Sequence, residues 1–196
     1  MKLILVRHGE TDWNLNDRIQ GILDIPLNSK GLDQARKAGL RLSNEKIDAI
    51  YCSPMERAKQ TAAEIAKFHD VPIEYNDLIS EKNFGEMEGM DRVEYKKIRD
   101  NSGIPYHLFT PPQGENYVDV RERLEKFYSS IKEKHAGHTV LVVSHGGVIR
   151  TLITLLMKRS IESVKELKQS NAAISVLEIN GSSVPRIHYQ NSTEHL

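Results

Sequence analysis

Two histidines stand directly after apolar runs that have the composition of buried strands. His8 follows the run at residues 2–6 and has Arg7 before it, whereas His145 follows the run at 139–143. A neutral imidazole can attack phosphorus as a nucleophile, and a planar guanidinium can bind two phosphate oxygens at once. The residue types around His8 therefore favour phosphate chemistry, with His8 as the attacking group.

Arg57 is a third basic side chain in a comparable place. The apolar run at 47–51 predicts a strand, and Ser53-Pro54 predicts the start of a helix that continues to about residue 68. Arg57 falls one turn into that helix. Because ligands bind outside the carboxyl ends of the strands in open α/β sheets, we expect the three basic side chains to meet at one edge.

Apolar runs alternate with segments of helical periodicity along the whole chain. Strands are predicted at residues 2–6, 47–51, 73–75, 139–143, 173–179 and 184–189, the last two around a turn at Asn180-Gly181-Ser182. Helices are predicted at residues 30–43, 53–68, 91–100, 116–134 and 148–157. This alternation predicts an α/β fold: a three-layer sandwich with a mostly parallel central sheet and helices on both faces.

Length and composition limit the architecture and the partners. The 196 residues suit a single domain over 1–196, with a small cap at 85–115 above the carboxyl ends of the strands. Lys and Arg total 27, as do Asp and Glu, so nothing indicates nucleic-acid binding. A single cysteine, Cys52, excludes an internal disulfide and a Cys-rich metal site. The N-terminal apolar run is too short for a signal peptide or a membrane span, so we expect a cytoplasmic protein.

Further motifs lie between and beside these histidines and arginines. They are residues 5–14 (LVRHGETDWN), 18–21 (RIQG), 24–27 (DIPL), 53–58 (SPMERA), 60–62 (QTA), 84–89 (FGEMEG), 114–115 (GE) and 144–147 (SHGG), together with Gly31 and Glu81. In order and approximate spacing they resemble the motifs of the histidine phosphatase superfamily, also called the phosphoglycerate mutase-like family. The resemblance covers most of the chain.

The resemblance implies roles for individual residues. His8 would be the phosphorylated nucleophile, and Glu81 would protonate the leaving group and then activate water. The catalytic phosphate pocket would be completed by Arg7, Arg57 and His145. Further substrate contacts would come from Asn14, Gln20, Gly21 and Gly146. The resemblance implies no metal ion and no organic cofactor.

The superfamily contains both phosphatases and mutases, and two features favour a phosphatase here. The segment Phe84–Gly89 resembles the phosphatase form of its motif, although Met87 stands where the family usually has Trp. The chain end, Gln190–Leu196, is short and polar, which makes it a poor lid for keeping water from a phosphohistidine. We therefore predict a phosphoric monoester hydrolase that acts on small phosphorylated metabolites.

Other interpretations remain open. A cofactor-dependent phosphoglycerate mutase or a non-enzymatic phosphate-ester-binding protein could carry the same motifs. A cysteine-dependent phosphatase is disfavoured, because the four residues between Cys52 and Arg57 are one fewer than those enzymes place there. A metallohydrolase is disfavoured, because His8 and His145 lack partner ligands at the usual spacing. The motifs leave open the substrate, among sugar phosphates, phosphoglycerates, α-ribazole phosphate and nucleotides, and the oligomeric state, with a homodimer as one option.

Overall fold

The computed structural model describes residues 1–181 and 184–196, and its centre is a six-stranded sheet. The strands are β1 (Lys2–Arg7), β2 (Ala49–Cys52), β3 (Ile73–Tyr75), β4 (Thr139–Ser144), β5 (Ile174–Glu178) and β6 (Arg186–Ser192). Their order is β3-β2-β4-β1-β5-β6; the pairs from β3 to β1 are parallel, and β5 and β6 add antiparallel at one side. The predicted, mostly parallel α/β sheet is confirmed.

The helices flank the sheet, and their bounds are close to the predicted ones. They are α1 (Asp12–Leu15), α2 (Ser29–Leu42), α3 (Glu56–Ala66), α4 (Arg92–Asn101), α5 (Tyr117–Lys134) and α6 (Gly146–Leu156). Asn28 caps α2 by accepting a hydrogen bond from the Gly31 amide at 2.8 Å, as its residue type predicts. Within the described ranges, no helix is long and apolar enough to cross a membrane.

The two central strands are apolar on both faces because helices cover both faces. Leu3 and Leu5 of β1 point into a core shared with α5 and α6, whereas Ile4 and Val6 point into a core shared with α2 and α3. Residues 3–6 are completely buried, which accounts for their uninterrupted apolar sequence. The three predicted layers are therefore present.

Three local predictions differ from the structure. Helix α3 begins at Glu56 with Met55 before it, not at Ser53-Pro54, because the Ser53 hydroxyl bonds to Nε2 of His145 at 2.7 Å instead of capping the helix. Helix α6 begins at Gly146, two residues before the predicted start. The final strand runs later than the predicted 184–189, and Ser182 of the predicted turn lies outside the described residues.

The segment at 85–115 contains α4 and a long loop, and it is joined to the chain that follows α1. The amide of Ile19 donates to the carbonyl of Met90 at 2.9 Å, and the Gly89 amide donates to the Ile19 carbonyl at 2.8 Å. Ile19 also packs in a small apolar cluster with Met87, Tyr95 and Phe109. Met87, which stands at the usual Trp position, is therefore a buried member of this cluster.

Candidate active site

The carboxyl ends of β1, β2 and β4 lie side by side and lead into one pocket. β4 pairs in parallel with both neighbours, and Arg7 at the end of β1 lies opposite Ser144 at the end of β4. The residues that follow, His8 and His145, face each other with ring centroids 5.2 Å apart. The parallel register thus brings the two predicted histidines together from distant parts of the chain.

His8 is buried, and its contacts define its tautomer. Nδ1 lies 2.7 Å from the Gly9 carbonyl oxygen, which can only accept, so Nδ1 carries the proton and Nε2 carries a lone pair. Burial, together with the positive charges of Arg57 and Arg7, holds the pKa of His8 well below its ordinary value of 6.5. The ring is consequently neutral at neutral pH, with Nε2 available as a nucleophile.

His145 is also neutral, for a similar reason. The Arg57 Nε–H can only donate, so Nδ1 of His145 accepts at 3.3 Å and its Nε2–H donates to the Ser53 hydroxyl at 2.7 Å. Burial and the charge of Arg57 lower the pKa of His145 well below 6.5. His145 is therefore uncharged, and both of its ring nitrogens are engaged by Arg57 and Ser53.

Arg57 is only 1 % exposed and is held by the loop that follows α1. Its terminal nitrogens donate to the carbonyls of Leu23 at 2.8 Å and Gly21 at 2.7 Å. Gly21 has a φ of +55°, and a Cβ there would lie 1.9 Å from the Glu88 carboxylate. Gly21 borders the pocket, but its backbone carbonyl supports Arg57.

Arg7 lies beside the start of α6. Its Nη1 donates to the Gln169 carbonyl at 2.7 Å, while its buried Nε has no partner in the described part of the chain. A Cβ on Gly146 would lie 3.3 Å from that Nε. Burial lowers the pKa of Arg7 to about 10, so the guanidinium is charged at neutral pH. The first amides of α6 add further donors for an anion here, because no side chain caps this helix.

Glu81 reaches the same pocket from the loop after the turn at 77–79. Its Oε1 accepts from the Lys82 amide at 3.0 Å, and a Cβ on Gly147 would lie only 2.7 Å from that oxygen. Arg123 donates to the backbone carbonyls of Leu78 at 2.7 Å and Glu81 at 3.2 Å. Arg123 therefore positions the loop that carries Glu81, a role that its place on the predicted helix at 116–134 did not reveal.

Asn14 and Gln20 border the pocket in different ways. The Asn14 side-chain oxygen accepts from the Thr11 amide at 3.2 Å and from Nδ2 of Asn171 at 3.0 Å, so it shapes the loop after β1. The Oε1 atom of Gln20 is buried and has no hydrogen-bond partner among the residues described. An unpartnered buried amide oxygen is costly, which makes Gln20 a candidate for contact with a bound molecule.

The pocket has a volume of about 910 Å³ and includes every predicted site residue except His145, which lies beneath its floor against His8. Sequence reasoning did not name several further polar lining residues, which are Arg92, Lys96, Arg99, Arg150, Lys165, Lys168, Gln169 and Asn171. Arg92, Lys96 and Arg99 lie within the predicted cap at 85–115. Arg150 lies one helical turn after Gly146 at the same sheet edge, so the sequence held a signal for these four.

The described ranges contain no group of three or more His, Cys, Asp or Glu side chains placed to hold a metal ion. Cys52 is buried, and burial raises the pKa of its thiol to about 12. The predicted site residues supply two neutral imidazoles, two guanidinium groups, helix amides and one carboxylate. Such a set can bind a phosphate dianion and can carry a nucleophile and a proton donor.

Comparison of the chain with known proteins identifies its family. The family model for the histidine phosphatase superfamily (branch 1) matches residues 3–193. Phosphoserine phosphatase 1 of Hydrogenobacter thermophilus is 34% identical, covering 90% of this chain and 86% of that protein. The uncharacterized phosphatase PhoE of Bacillus subtilis is 35% identical, covering 89% and 86%. Proteins named as phosphoglycerate mutases match as well.

The solved structures agree with the sequence comparison. YhfR of Bacillus stearothermophilus superposes with a TM-score of 0.90 at 31% identity, covering 99% of this chain and 98% of that chain. Relatives named phosphatases support the prediction of a phosphoric monoester hydrolase. The whole-length match confirms the predicted family. The chain belongs to the histidine phosphatase superfamily, branch 1.

Proposed function

We propose that the protein hydrolyses phosphate monoesters of small metabolites, with Nε2 of His8 as the nucleophile. The observation that carries the proposal is the hydrogen bond from Nδ1 of His8 to the Gly9 carbonyl, which leaves the Nε2 lone pair free. The lowered pKa of His8 keeps that lone pair unprotonated at neutral pH. A neutral, oriented imidazole beside two guanidinium groups is suited to attack a bound phosphate.

In the first step, Nε2 forms a bond to phosphorus while the bond from phosphorus to the leaving oxygen breaks. Glu81 acts as the general acid: it gives a proton to that oxygen and is left as a carboxylate. Arg7, Arg57 and the first amides of α6 stabilise the charge on the equatorial oxygens. The products of this step are the free alcohol and a phosphohistidine.

In the second step, water attacks the phosphohistidine. Glu81, now a carboxylate, takes a proton from the water as its oxygen bonds to phosphorus. The nitrogen–phosphorus bond breaks and returns the lone pair to Nε2. His145 would keep Arg57 in place during both steps, because its Nδ1 accepts from the Arg57 Nε–H at 3.3 Å. Inorganic phosphate leaves, and His8 and Glu81 are restored.

The remaining site assignments follow from the pocket. We propose Gln20 as a substrate contact because its buried oxygen lacks a partner, and Asn14 because it borders the pocket. The segment at 85–115 would act as the cap of a single domain over 1–196, since α4 contributes Arg92, Lys96 and Arg99 to the lining. A cytoplasmic location and a homodimer stay predictions.

Mutase activity is the second candidate, because relatives named as mutases match the chain. Among the described residues, none beyond Asn171 lines the pocket, so residues 172–181 and 184–196 do not cover the proposed phosphohistidine. This favours hydrolysis over phosphoryl return. If the protein is a mutase, it should exchange 2- and 3-phosphoglycerate, with stimulation by 2,3-bisphosphoglycerate, and release no phosphate.

The test compares wild type with His8→Ala on p-nitrophenyl phosphate. We expect wild type to release phosphate and His8→Ala to lose this activity while circular dichroism shows an intact fold. His188→Ala is the matched control, because His188 lies on β6 outside the pocket. Full activity in His8→Ala would refute the nucleophile assignment. Phosphate binding without any turnover in wild type would instead support a non-enzymatic binding protein.

A further inference from the structure

Asn171 lies in the loop after α6, and its side-chain amide bonds to the chain that carries His8. Its Nδ2 lies 3.2 Å from the His8 carbonyl oxygen, 3.1 Å from the Gly9 carbonyl oxygen and 3.0 Å from Oδ1 of Asn14. A backbone carbonyl can only accept a hydrogen bond, so the amide must present its nitrogen, not its oxygen, to residues 8 and 9. Two N–H groups serve three acceptors, and one hydrogen is therefore shared.

These contacts leave Asn171 without a donor for a bound molecule. Asn171 borders the pocket, but both of its N–H groups are directed at the protein. Its other polar atom, Oδ1, is an acceptor, and the oxygens of a phosphate dianion are acceptors as well. Asn171 is therefore not suited to bind phosphate, and its contribution must come through the groups that it holds.

The Gly9 carbonyl oxygen connects Asn171 to the proposed nucleophile. The same oxygen lies 2.7 Å from Nδ1 of His8 and keeps the proton on that nitrogen. The peptide group that carries this oxygen is held on its N–H side, where the Glu10 amide donates to Oε1 of Gln34 at 2.8 Å. On its carbonyl side, Asn171 is the contact that the described residues provide besides His8 itself.

The backbone beside Asn171 is bonded to the same end of β1. The Ala172 amide donates to the His8 carbonyl at 3.1 Å, and the Arg7 amide donates to the Ala173 carbonyl at 3.3 Å. Ala172 is completely buried and has a φ of +53°, a left-handed conformation that is unfavourable for a residue with a Cβ. The chain thus adopts a strained turn directly after Asn171, where the loop meets the nucleophile.

Asn171 also fixes the orientation of Asn14. The Oδ1 atom of Asn14 accepts from the Thr11 amide at 3.2 Å, from the Thr11 hydroxyl at 3.1 Å and from Nδ2 of Asn171 at 3.0 Å. An amide N–H can only donate, so Thr11 and Asn171 both require the oxygen of the Asn14 side chain on their side. The Nδ2 group of Asn14, which is the kind of donor that a phosphate oxygen needs, is left for the pocket.

We propose that Asn171 positions the nucleophile: by holding the Gly9 carbonyl oxygen, it keeps the proton of His8 on Nδ1 and the lone pair on Nε2. It also turns the donor of Asn14 toward the bound phosphate. Asn171 is a positioning residue, because it acts through Gly9 and Asn14 and donates no hydrogen bond to substrate. This role rests on the proposed phosphatase activity, in which Nε2 of His8 attacks phosphorus.

The first measurement is the tautomer of His8, which can be observed without turnover. NMR of the isotope-labelled free protein distinguishes a ring nitrogen that carries a proton from one that carries a lone pair, and the His8→Asn spectrum identifies the His8 signals. Wild type should show the lone pair on Nε2. Asn171→Ala should show a mixture of tautomers. Asn171→Asp has nearly the same size but places an acceptor against the Gly9 carbonyl, so it should lose more of the Nε2 lone pair.

The second measurement is the burst of p-nitrophenol from p-nitrophenyl phosphate, whose rate reports the attack of Nε2 on phosphorus. A misplacement of about 1 Å can cost about a hundredfold in rate, so both Asn171 variants should slow the burst by about tenfold or more. The affinity for inorganic phosphate should fall less than the burst rate, because Arg7 and Arg57 keep their own backbone contacts.

Asn191→Gly is the matched control for the position of the loop. The Asn191 side chain accepts from the Ser170 amide at 2.6 Å, so it holds the residue before Asn171 but contacts neither His8 nor Gly9. Asn191 has a φ of +55°, which glycine adopts without strain. Asn191→Gly should therefore keep both the tautomer of His8 and the burst rate.

An unchanged tautomer in both Asn171 variants would overturn the positioning proposal. A mixed tautomer with an unchanged burst rate would overturn it as well, because the proton position would then not matter for the attack. Equal effects in Asn191→Gly and Asn171→Ala would show that the order of the loop, not the amide, is responsible. If wild type binds phosphate but releases no p-nitrophenol, while the Asn171 variants change the tautomer, the phosphatase proposal fails and the control of His8 by Asn171 stands. If circular dichroism shows that Asn171→Asp does not fold, Asn171→Ala decides alone.

Discussion

Replacing His8 by asparagine is expected to make the folded protein less sensitive to acid, because His8 is held neutral in the folded state. Burial and two arginines keep the pKa of His8 well below 6.5, whereas the unfolded chain restores it to about 6.5. As the pH falls below that value, the unfolded state binds a proton that the folded state does not bind. The free energy of unfolding therefore decreases as the pH falls.

The size of the effect follows from proton linkage. A histidine that titrates only in the unfolded state removes about 1.4 kcal/mol of stability between about pH 7.5 and pH 5.5. The pKa of His145 is also lowered in the folded state, so His145 adds a loss of stability of similar size. The asparagine variant should lose about 1.4 kcal/mol less than wild type over this interval. Titrating groups other than the neighbouring His145, whose pKa His8 also lowers, contribute equally to both proteins.

The assay is urea unfolding of both proteins at the two pH values, followed by circular dichroism. The buffer must contain no phosphate, because an anion bound at the site would stabilise the folded state and change the protonation of its histidines. Thr61→Ala is the matched control: Thr61 is fully buried and accepts from the Gly9 amide at 3.1 Å, but it does not titrate. The Thr61→Ala substitution should lower the free energy of unfolding, relative to wild type, by the same amount at both pH values.

A pH dependence of stability that is identical in wild type and His8→Asn would refute this reasoning. It would mean that His8 has the same pKa in the folded and unfolded states. The neutral Nε2 on which the nucleophile proposal depends would then have no support from burial. An effect of the opposite sign would indicate that the folded protein holds His8 protonated.

Three further outcomes are expected. Glu81→Ala should lower kcat by about 10²–10⁴-fold for an alkyl phosphate but much less for p-nitrophenyl phosphate, whose leaving group needs no protonation; equal losses would argue against a proton donor. Gly147→Ala places a Cβ 2.7 Å from Oε1 of Glu81 and should lower kcat for the alkyl phosphate by about tenfold or more, and an unchanged kcat would show that the carboxylate position is not critical. EDTA should not inhibit, and loss of activity restored by a divalent ion would revive the metallohydrolase hypothesis.

The main part of the fold could be predicted because local patterns and topology agree. Continuous apolar runs such as residues 3–6 and 140–143 are characteristic of strands covered on both faces, and parallel strands align their carboxyl ends. His8 and His145 could therefore be placed together without any knowledge of loops. The same reasoning reached Arg57 through the strand that precedes it.

Contacts made across long sequence distances were not predictable in this way. The Ser53-Pro54 pair has the composition of a helix start, yet the Ser53 hydroxyl bonds to His145, and α3 begins later. Gly21 lines the pocket, and its predicted contact with substrate stays a prediction; its carbonyl also accepts from Arg57 at 2.7 Å, a contact that its residue type does not reveal. In both cases the partner comes from a distant segment, so local sequence preference could not indicate it.

The positively charged residues that the segment at 85–115 and the loop after α6 contribute to the pocket were also not predictable from the sequence. Lys96 lies on a charged, exposed helix, and the sequence offers no reason to separate it from its neighbour Lys97. The distinction exists only because the chain at 17–20 binds the segment at 89–92 through backbone hydrogen bonds, which turns one face of α4 toward the pocket. Which residues of the segment at 85–115 line the pocket depends on how that segment is attached, and charge patterning alone does not encode this.

Burial and the positive charges of the site act together to keep its histidines neutral. Burial, with the charges of Arg57 and Arg7, lowers the pKa of both His8 and His145, so both imidazoles are unprotonated beside two charged guanidinium groups. In the proposed reaction, a phosphate dianion between the arginines would weaken their effect on both rings. Nε2 of His8 would be used in the bond to phosphorus, whereas both nitrogens of His145 are engaged by Arg57 and Ser53. Two histidines with the same resting state would then serve different purposes, His8 as the nucleophile and His145 as the residue that positions Arg57.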